Sequence, residues 1–473
     1  MVIPATTEGT PGLAHTLQRR HLSMIAIGGV IGAGLFVGSG AAIREAGPGV
    51  LLSYAAAGVL VVLVMRMLGE MAAANPDTGS FSAYAERAIG RWAGFTIGWL
   101  YWWFWVVVLG VEATAGAVIV HRWAPVLPQW AWALVLMVAL TLTNLYSVRS
   151  YGEFEFWFAS IKVAAIVAFI LVGLAAILGL LPGVESPGAT HLADFLPHGM
   201  APVLAAMLVV VFSFFGAEIA TIAAGETDHP QTAIRAAVRS VVWRILLFYL
   251  GSVAVVVTLL PSDDAGVATS PYVAVLDRIG LPSAGAVMDV VVLTSVLSCL
   301  NSGLYTASRM AFSLAGRGEA PRAWRRLTRR GVPAVSVLVS TVVGFLTVVL
   351  NYVSPDRAFL FLLNSSGAVA LFVWLVIAVS QLRLRRRLEA TDPDRLVLRM
   401  WLFPYLTWLT TASIGGLLLA MVAYRSTRPQ VLLSALVAVV VVAVAVVRDR
   451  RSAAVDRAAY APTPRCSRGF RQT

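Results

Sequence analysis

The chain has 473 residues; 59% are hydrophobic and 13% charged, about half of the roughly 25% charged residues of a soluble domain. With a mean hydropathy of +0.80 and uncharged runs such as Leu51 to Met65 and Val431 to Val447, it reads as a polytopic membrane protein. Such runs exclude an outer-membrane barrel, and the net charge of +12 does not indicate a nucleic-acid binder, because the charge is divided by membrane side.

Residues 1–21 form a polar tail without a signal-peptide cleavage pattern, expected to be cytoplasmic. Twelve apolar segments follow, beginning near residues 22, 48, 92, 126, 155, 200, 239, 284, 333, 358, 400 and 429. About 20 apolar residues cross about 30 Å of hydrocarbon, and lipid leaves the backbone no option but helix. The predicted fold class is therefore all-α, with twelve transmembrane helices. Helices 1–5 occupy residues 22–181. The loop at 182–199, "PGVESPGATHLADFLPHG", carries no lysine or arginine and is expected outside. Helices 6–10 occupy 200–382, and residues 383–448 hold the charged linker "RLRRRLEATDPDRLVLR" and helices 11 and 12. The basic tail from Arg448 through 449–473 is expected to be disordered and cytoplasmic.

With the N-terminus inside, the outer connections hold six arginines: Arg44, Arg122, Arg278, Arg357, Arg425 and Arg428. The other 29 lie inside or at inner helix ends, which sets both termini in the cytoplasm and offers a contact to anionic lipids. The two cysteines, Cys299 and Cys466, fall in a helix and in the inner tail and are not expected to pair.

Two helices are anomalous. Helix 1, "LSMIAIGGVIGAGLFVGSGAAI", contains Gly28, Gly29, Gly32, Gly34, Gly38 and Gly40, and each interior glycine costs about 1 kcal/mol relative to alanine. Helix 6, "LAAMLVVVFSFFGAEIATIAAGE", has Ser213 and Gly216 at mid-span. Small residues also line ordinary helix contacts. Glycine-interrupted helices at matching places in two five-helix halves point instead to an inverted-repeat transporter with broken helices 1 and 6.

At these residues the chain resembles the bacterial amino acid permeases of the amino acid–polyamine–organocation superfamily. "GVIGAGLFVGSG" and "FSFFGAEIATIAAGET" look like the helix 1 and helix 6 breaks. "PDTGSFSAYAERAIGRWAGFTIGWLYWWFWV", "YGEFEFWFASIK", "SCLNSGLYTASRM" and "SSGAVALFVWLVIAVSQLR" extend the likeness over nearly the whole chain. The resemblance implies a five-plus-five repeat and proton-coupled uptake across the bacterial plasma membrane, with no cofactor. The substrate it implies is a small zwitterionic amino acid, foremost 4-aminobutyrate (GABA), with proline, alanine, glycine, serine or aromatic amino acids as alternatives.

A zwitterion at mid-membrane needs donors for its carboxylate and acceptors for its amine. No arginine stands in the middle of helix 1 or 6. The unwound backbone at Val30, Ile31, Gly32, Ala33 and Gly34 is expected to supply N–H groups and a positive helix end. Carbonyls near Phe212 and Ser213, beside Gly216, are expected to take the amine. Phe212 or Phe215 would cover it with a cation–π face or be ordinary packing. Intramembrane carboxylates are costly and usually face the bundle interior. Glu218 is read as a proton-route or gate group, or as a structural hydrogen bond. Glu112, assigned to a stripe with Trp99, Trp103 and Gly110, is a pathway candidate, as is the polar cluster Cys299, Asn301 and Ser302 of helix 8. The aromatic run "WLYWWFWV" is read as packing and lipid surface.

Lys162 is the only lysine among 36 basic residues, about eight residues into helix 5. One reading is a snorkelling or structural cation that neutralises Glu153 or Glu155. The other is a proton carrier: in sodium-coupled relatives of this fold a sodium ion ties helix 1 to helices 5 and 8, and an ammonium that can lose its proton would replace it. Arginine stays charged and cannot do this. The six histidines show no metal-ligand spacing and no Ser-His-Asp set converges, so neither metal chemistry nor catalysis is expected. A nutrient sensor that does not transport would use the same site.

Overall fold

The computed structural model describes residues 31–75, 80–146, 148–184, 186, 190–219, 221, 230–353 and 355–459. These form helices and connecting turns, with no strand among the described residues. In chain order they are α1 (Ser39–Ala46), α2 (Val50–Ala74), α3 (Ser80–Ala88), α4 (Arg91–Trp123), α5 (Gln129–Tyr146), α6 (Val148–Ile177), α7 (Met200–Phe214), α8 (Pro230–Arg244), α9 (Ser252–Leu259), α10 (Ala265–Thr269), α11 (Pro271–Arg278), α12 (Pro282–Gly316), α13 (Ala334–Val353), α14 (Pro355–Thr391), α15 (Tyr405–Ala423) and α16 (Arg428–Ala459). Eight stretches among the described residues are long and apolar enough to cross a membrane, and Met200–Phe214, Leu247–Leu259 and Ala334–Leu350 are shorter apolar helices.

Burial orders these helices. The apolar window of α4 is 83% buried, because this helix is apolar all round and packs on α3, α5, α12, α13, α14 and α16. The windows of α5 and α16 are only 17% buried and expose Leu142, Leu436 and Val439 as a lipid-compatible surface. α7 packs against α1, α2 and α14, and α6 against α9 and α12. The two interrupted helices thus lie side by side, next to the central α4.

The charged segments are more helical than the sequence suggests. The linker after residue 382 is helical as far as Thr391, because leucine, arginine and glutamate favour helix and Arg385 pairs with Glu389 one turn on, at 2.7 Å. The tail expected to be disordered from Arg448 continues as helix to Ala459. α3, α10 and α11 were not expected at all; they are short and carry no membrane-length apolar run.

Beneath α14 lies a buried charged tie. Glu70 of α2 accepts from Gln381 Nε2 and Arg385 Nη1, each at 2.7 Å, and from the Met400 backbone N–H at 2.5 Å. The Thr407 hydroxyl of α15 donates to Gln381 Oε1 at 3.0 Å. Glu70 thus joins α2 to α14 and to the segment before α15, and Gln381 carries the network on to α15.

Candidate functional site: two carboxylate-capped helix breaks

The segment that becomes α1 begins at Ala33 and is wound as a π-helix over Gly34–Gly38. The Leu35 and Phe36 N–H groups both donate to the Gly32 carbonyl at 3.3 Å. The Ala33 N–H points sideways to α4, where the Glu112 carboxylate accepts it at 3.2 Å (Oε1) and 3.0 Å (Oε2). A helix start favours an anion there through its free N–H groups and dipole. Glycine is required by closeness. A Cβ on Gly32 would stand 2.6 Å from Glu112 Oε1 and 2.7 Å from Cys299 Cβ, and one on Gly34 would stand 2.8 Å from Ser213 Oγ and 2.9 Å from Ser213 Cα. Ile31 is fully buried beside this segment, and Val30 lies outside the described residues.

Helix 6 breaks in a parallel way. α7 stops at Phe214, Phe215 is extended with ψ 145°, and Gly216 adopts φ 105°, a conformation that favours glycine. The Gly216 N–H donates to both Glu218 oxygens at 3.0 Å. The Thr221 hydroxyl donates to the Glu218 carbonyl at 2.7 Å. Each break therefore has a freed N–H capped by a buried glutamate. The carbonyls expected to receive an amine are partly engaged: Phe212 O accepts from Phe215 N at 3.2 Å, and Ser213 O accepts from the Tyr249 hydroxyl at 2.8 Å. Tyr249 sits in a π-helical stretch, Ile245–Gly251, between α8 and α9. Such bulges re-aim side chains and are frequent at functional sites.

A cavity of about 10 Å³ lies between the breaks, room for about one water. Gly34, Phe212, Ser213 and Phe215 line one side; Cys299 and, from α4, Phe104, Trp105, Val108 and Glu112 complete the wall. Two expectations are corrected here. Part of the run "WLYWWFWV" faces the site and not lipid, with Phe104 4.1 Å from Phe215 ring to ring. Glu112 also belongs to another stripe. Tyr101, Trp105, Val108 and Glu112, at i, i+4, i+7 and i+11, share its face, whereas Gly110 abuts Thr347 of α13 and Trp99 stacks on Trp324 at 5.9 Å. The buried Tyr101 and Trp105 side chains neighbour one another, ring to ring at 6.1 Å, and the Tyr101 hydroxyl also faces Glu218.

Behind Glu112 lies a polar relay. Lys162 is fully buried, and its Nζ donates to Ser298 Oγ of α12 at 2.9 Å; Ser298 Oγ donates to both Glu155 oxygens at 2.8 Å. Ser302, one turn on, is a further hydrogen-bond partner of Glu155. The carboxylates of Glu155 and Glu112 both act on Lys162. Lys162 stands seven residues after the start of the apolar span Glu155–Ile177, close to the expected eight, although the helix itself begins earlier, at Val148. Its full burial and its bond to Ser298 inside the bundle exclude snorkelling. Glu155, weighed earlier only as a structural partner of Lys162, is integral to the relay. Its i, i+7 spacing from Lys162 was the available signal. Asn301 does not join the cluster and accepts from Asn144 of α5 at 2.7 Å.

Comparisons with known proteins agree with this architecture. The family model described as amino acid permease matches residues 21–453. A gamma-aminobutyric acid permease of Bacillus subtilis (strain 168) is 54% identical over 448 residues, covering 94% of this chain and 96% of that one. One of Escherichia coli (strain K12) is 54% identical over 427 residues, covering 89% and 91%. An aromatic amino acid transport protein of Corynebacterium glutamicum is 45% identical over 431 residues, covering 90% and 93%. Among solved structures, a manganese transporter of Eremococcus coleocola superposes with a TM-score of 0.54 at 14% identity, covering 93% and 95%, a likeness of fold alone. An all-α, multi-pass membrane transporter of amino acids, the chain belongs to the amino acid permease family.

Proposed function

We propose that this permease imports GABA with protons across the bacterial inner membrane by alternating access. The observation that carries the reading is the pairing of a carboxylate-binding helix start at Ala33 with 54% identity to gamma-aminobutyric acid permeases over nearly the full chain. In this reading Gly32, Ala33 and Gly34 receive the substrate carboxylate, the helix 6 carbonyls at Phe212 and Ser213 receive the amine, and Phe212 and Phe215 cover the chain between. A cavity of about 10 Å³ belongs to a contracted state that must open to admit the ligand. The twelve-span, five-plus-five arrangement, both termini in the cytoplasm and contact of the inner arginines with anionic lipid belong to the same proposal.

Lys162 is the proton-coupling group, because it is buried, linked through Ser298 to Glu155, and able to change charge where arginine is not. Glu218, at the second break, is the alternative. Any contact of Lys162 with helix 1 before residue 31 lies outside the described residues.

Labelled GABA is expected to accumulate in proteoliposomes under an inward proton gradient. Competition with proline, alanine and phenylalanine ranks the substrates; robust proline or alanine uptake without GABA uptake overturns the assignment. The aromatic wall of Phe104, Trp105, Phe212 and Phe215 favours phenylalanine as the second reading, which the same competition decides. A non-transporting sensor would bind substrate and accumulate none.

A further inference from the structure

We propose that Glu112 is a tethered stand-in for the substrate carboxylate: it holds the Ala33 N–H between transport events, and an arriving carboxylate displaces it and obliges it to take a proton. The inference rests on the reading that an amino acid binds at this break.

The geometry makes the two carboxylates exclusive. Both Glu112 oxygens already share the Ala33 N–H, at 3.0 and 3.2 Å. Glu112 Oε1 also fills the space where a side chain on Gly32 would begin, and only about 10 Å³ remains beside it. A second carboxylate gains the N–H only if Glu112 swings away. A donor for the newcomer lies close, since the buried Trp105 indole lines the same cavity.

The surrounding charges decide what the displaced group must do. Among the described residues, the ionisable groups that face Glu112 are Lys162 from α6 and Cys299 from α12; α7 presents the neutral Ser213. Lys162 and Glu155 are joined through Ser298, one cation against one anion. Among the described residues no further cation faces Glu112, and two carboxylates at one site do not both stay ionised. The bonds from Ala33 N–H to Glu112 break and one to the substrate forms. One proton, passed from the aqueous side through the relay that contains Lys162, adds to a Glu112 oxygen. A zwitterionic substrate adds no net charge, so the loaded site gains one positive charge per molecule. Coupling then follows from competition for one N–H.

The test is calorimetric titration of the purified full-length protein with GABA, or with whichever amino acid wins the uptake competition, in buffers of different ionisation enthalpy. The expected result is uptake of about one proton per ligand bound. Butyrate, which keeps the carboxylate, is expected to take up a proton, and butylamine, which lacks it, none. In Glu112→Gln, proton uptake per bound ligand is expected to fall at least fivefold. Binding by the wild type without proton uptake, proton uptake with butylamine, or undiminished uptake in Glu112→Gln overturns the inference. If Glu112→Gln does not fold, the butyrate and butylamine titrations decide on the wild type alone. A wild-type protein that binds no amino acid overturns the proposed function itself.

Discussion

Lys162 and Gly34 carry the sharpest expectations at the scale of single residues. A buried lysine beside Glu155 is either a fixed counter-ion or a group that changes charge, and arginine separates the two because it stays ionised. Lys162→Met and Lys162→Arg are both expected to lose accumulation driven by an imposed pH gradient while remaining monodisperse. Wild-type accumulation by Lys162→Arg would make the cation structural and move the proton to Glu218. Gly34→Leu is expected to abolish substrate binding in a folded protein, since its Cβ would press on Ser213 Cα at 2.9 Å, where backbone must yield. Equilibrium binding of labelled substrate checks this, and unchanged affinity would remove the helix 1 break from the site.

Among elements, the two breaks show what a sequence can and cannot display. Glycine density at residues 28–40 and the Ser213–Gly216 interruption mark both breaks, because the cost of glycine in a helix is local. Which group caps each break is not local. Glu218 lies two residues from the N–H it accepts and was within reach of sequence reasoning; Glu112 lies 79 residues from Ala33, and only the packing of α4 joins them. The aromatic face of α4 was misread for a related reason: a helix apolar all round offers no contrast from which to choose its site-facing stripe. Tyr249 was not found, since a π-helical stretch shifts the register on which periodicity depends. Its hydroxyl fixes the Ser213 carbonyl at 2.8 Å. Tyr249→Phe is expected to weaken substrate binding about fivefold, the equivalent of about 1 kcal/mol for one buried hydrogen bond. Isothermal titration measures it, and an unchanged affinity would show that this carbonyl needs no support.

For the whole molecule, the Glu70 tie joins α2, α14, the segment before α15, and α15 itself. Arg385 and Glu70 are 7% and 2% exposed, so removing one partner strands a buried charge. Arg385→Met is expected to cost about 3–5 kcal/mol, read as a lower thermal midpoint in detergent, and Glu70→Gln in the same chain is expected to recover much of it. A midpoint within a degree of wild type would show that water reaches the tie. Long apolar runs are legible in the sequence, since membrane thickness sets their length, but nothing in it marks this tie, whose members are polar residues scattered along the chain. The solitary lysine has a different use at this scale. Apart from the N-terminal amine, the chain offers an amine-specific reagent one target, and that target is wholly enclosed. Acylation of Lys162, followed by mass spectrometry, is therefore a clock: each modified molecule records a moment when the bundle parted far enough to admit a reagent, without any engineered label.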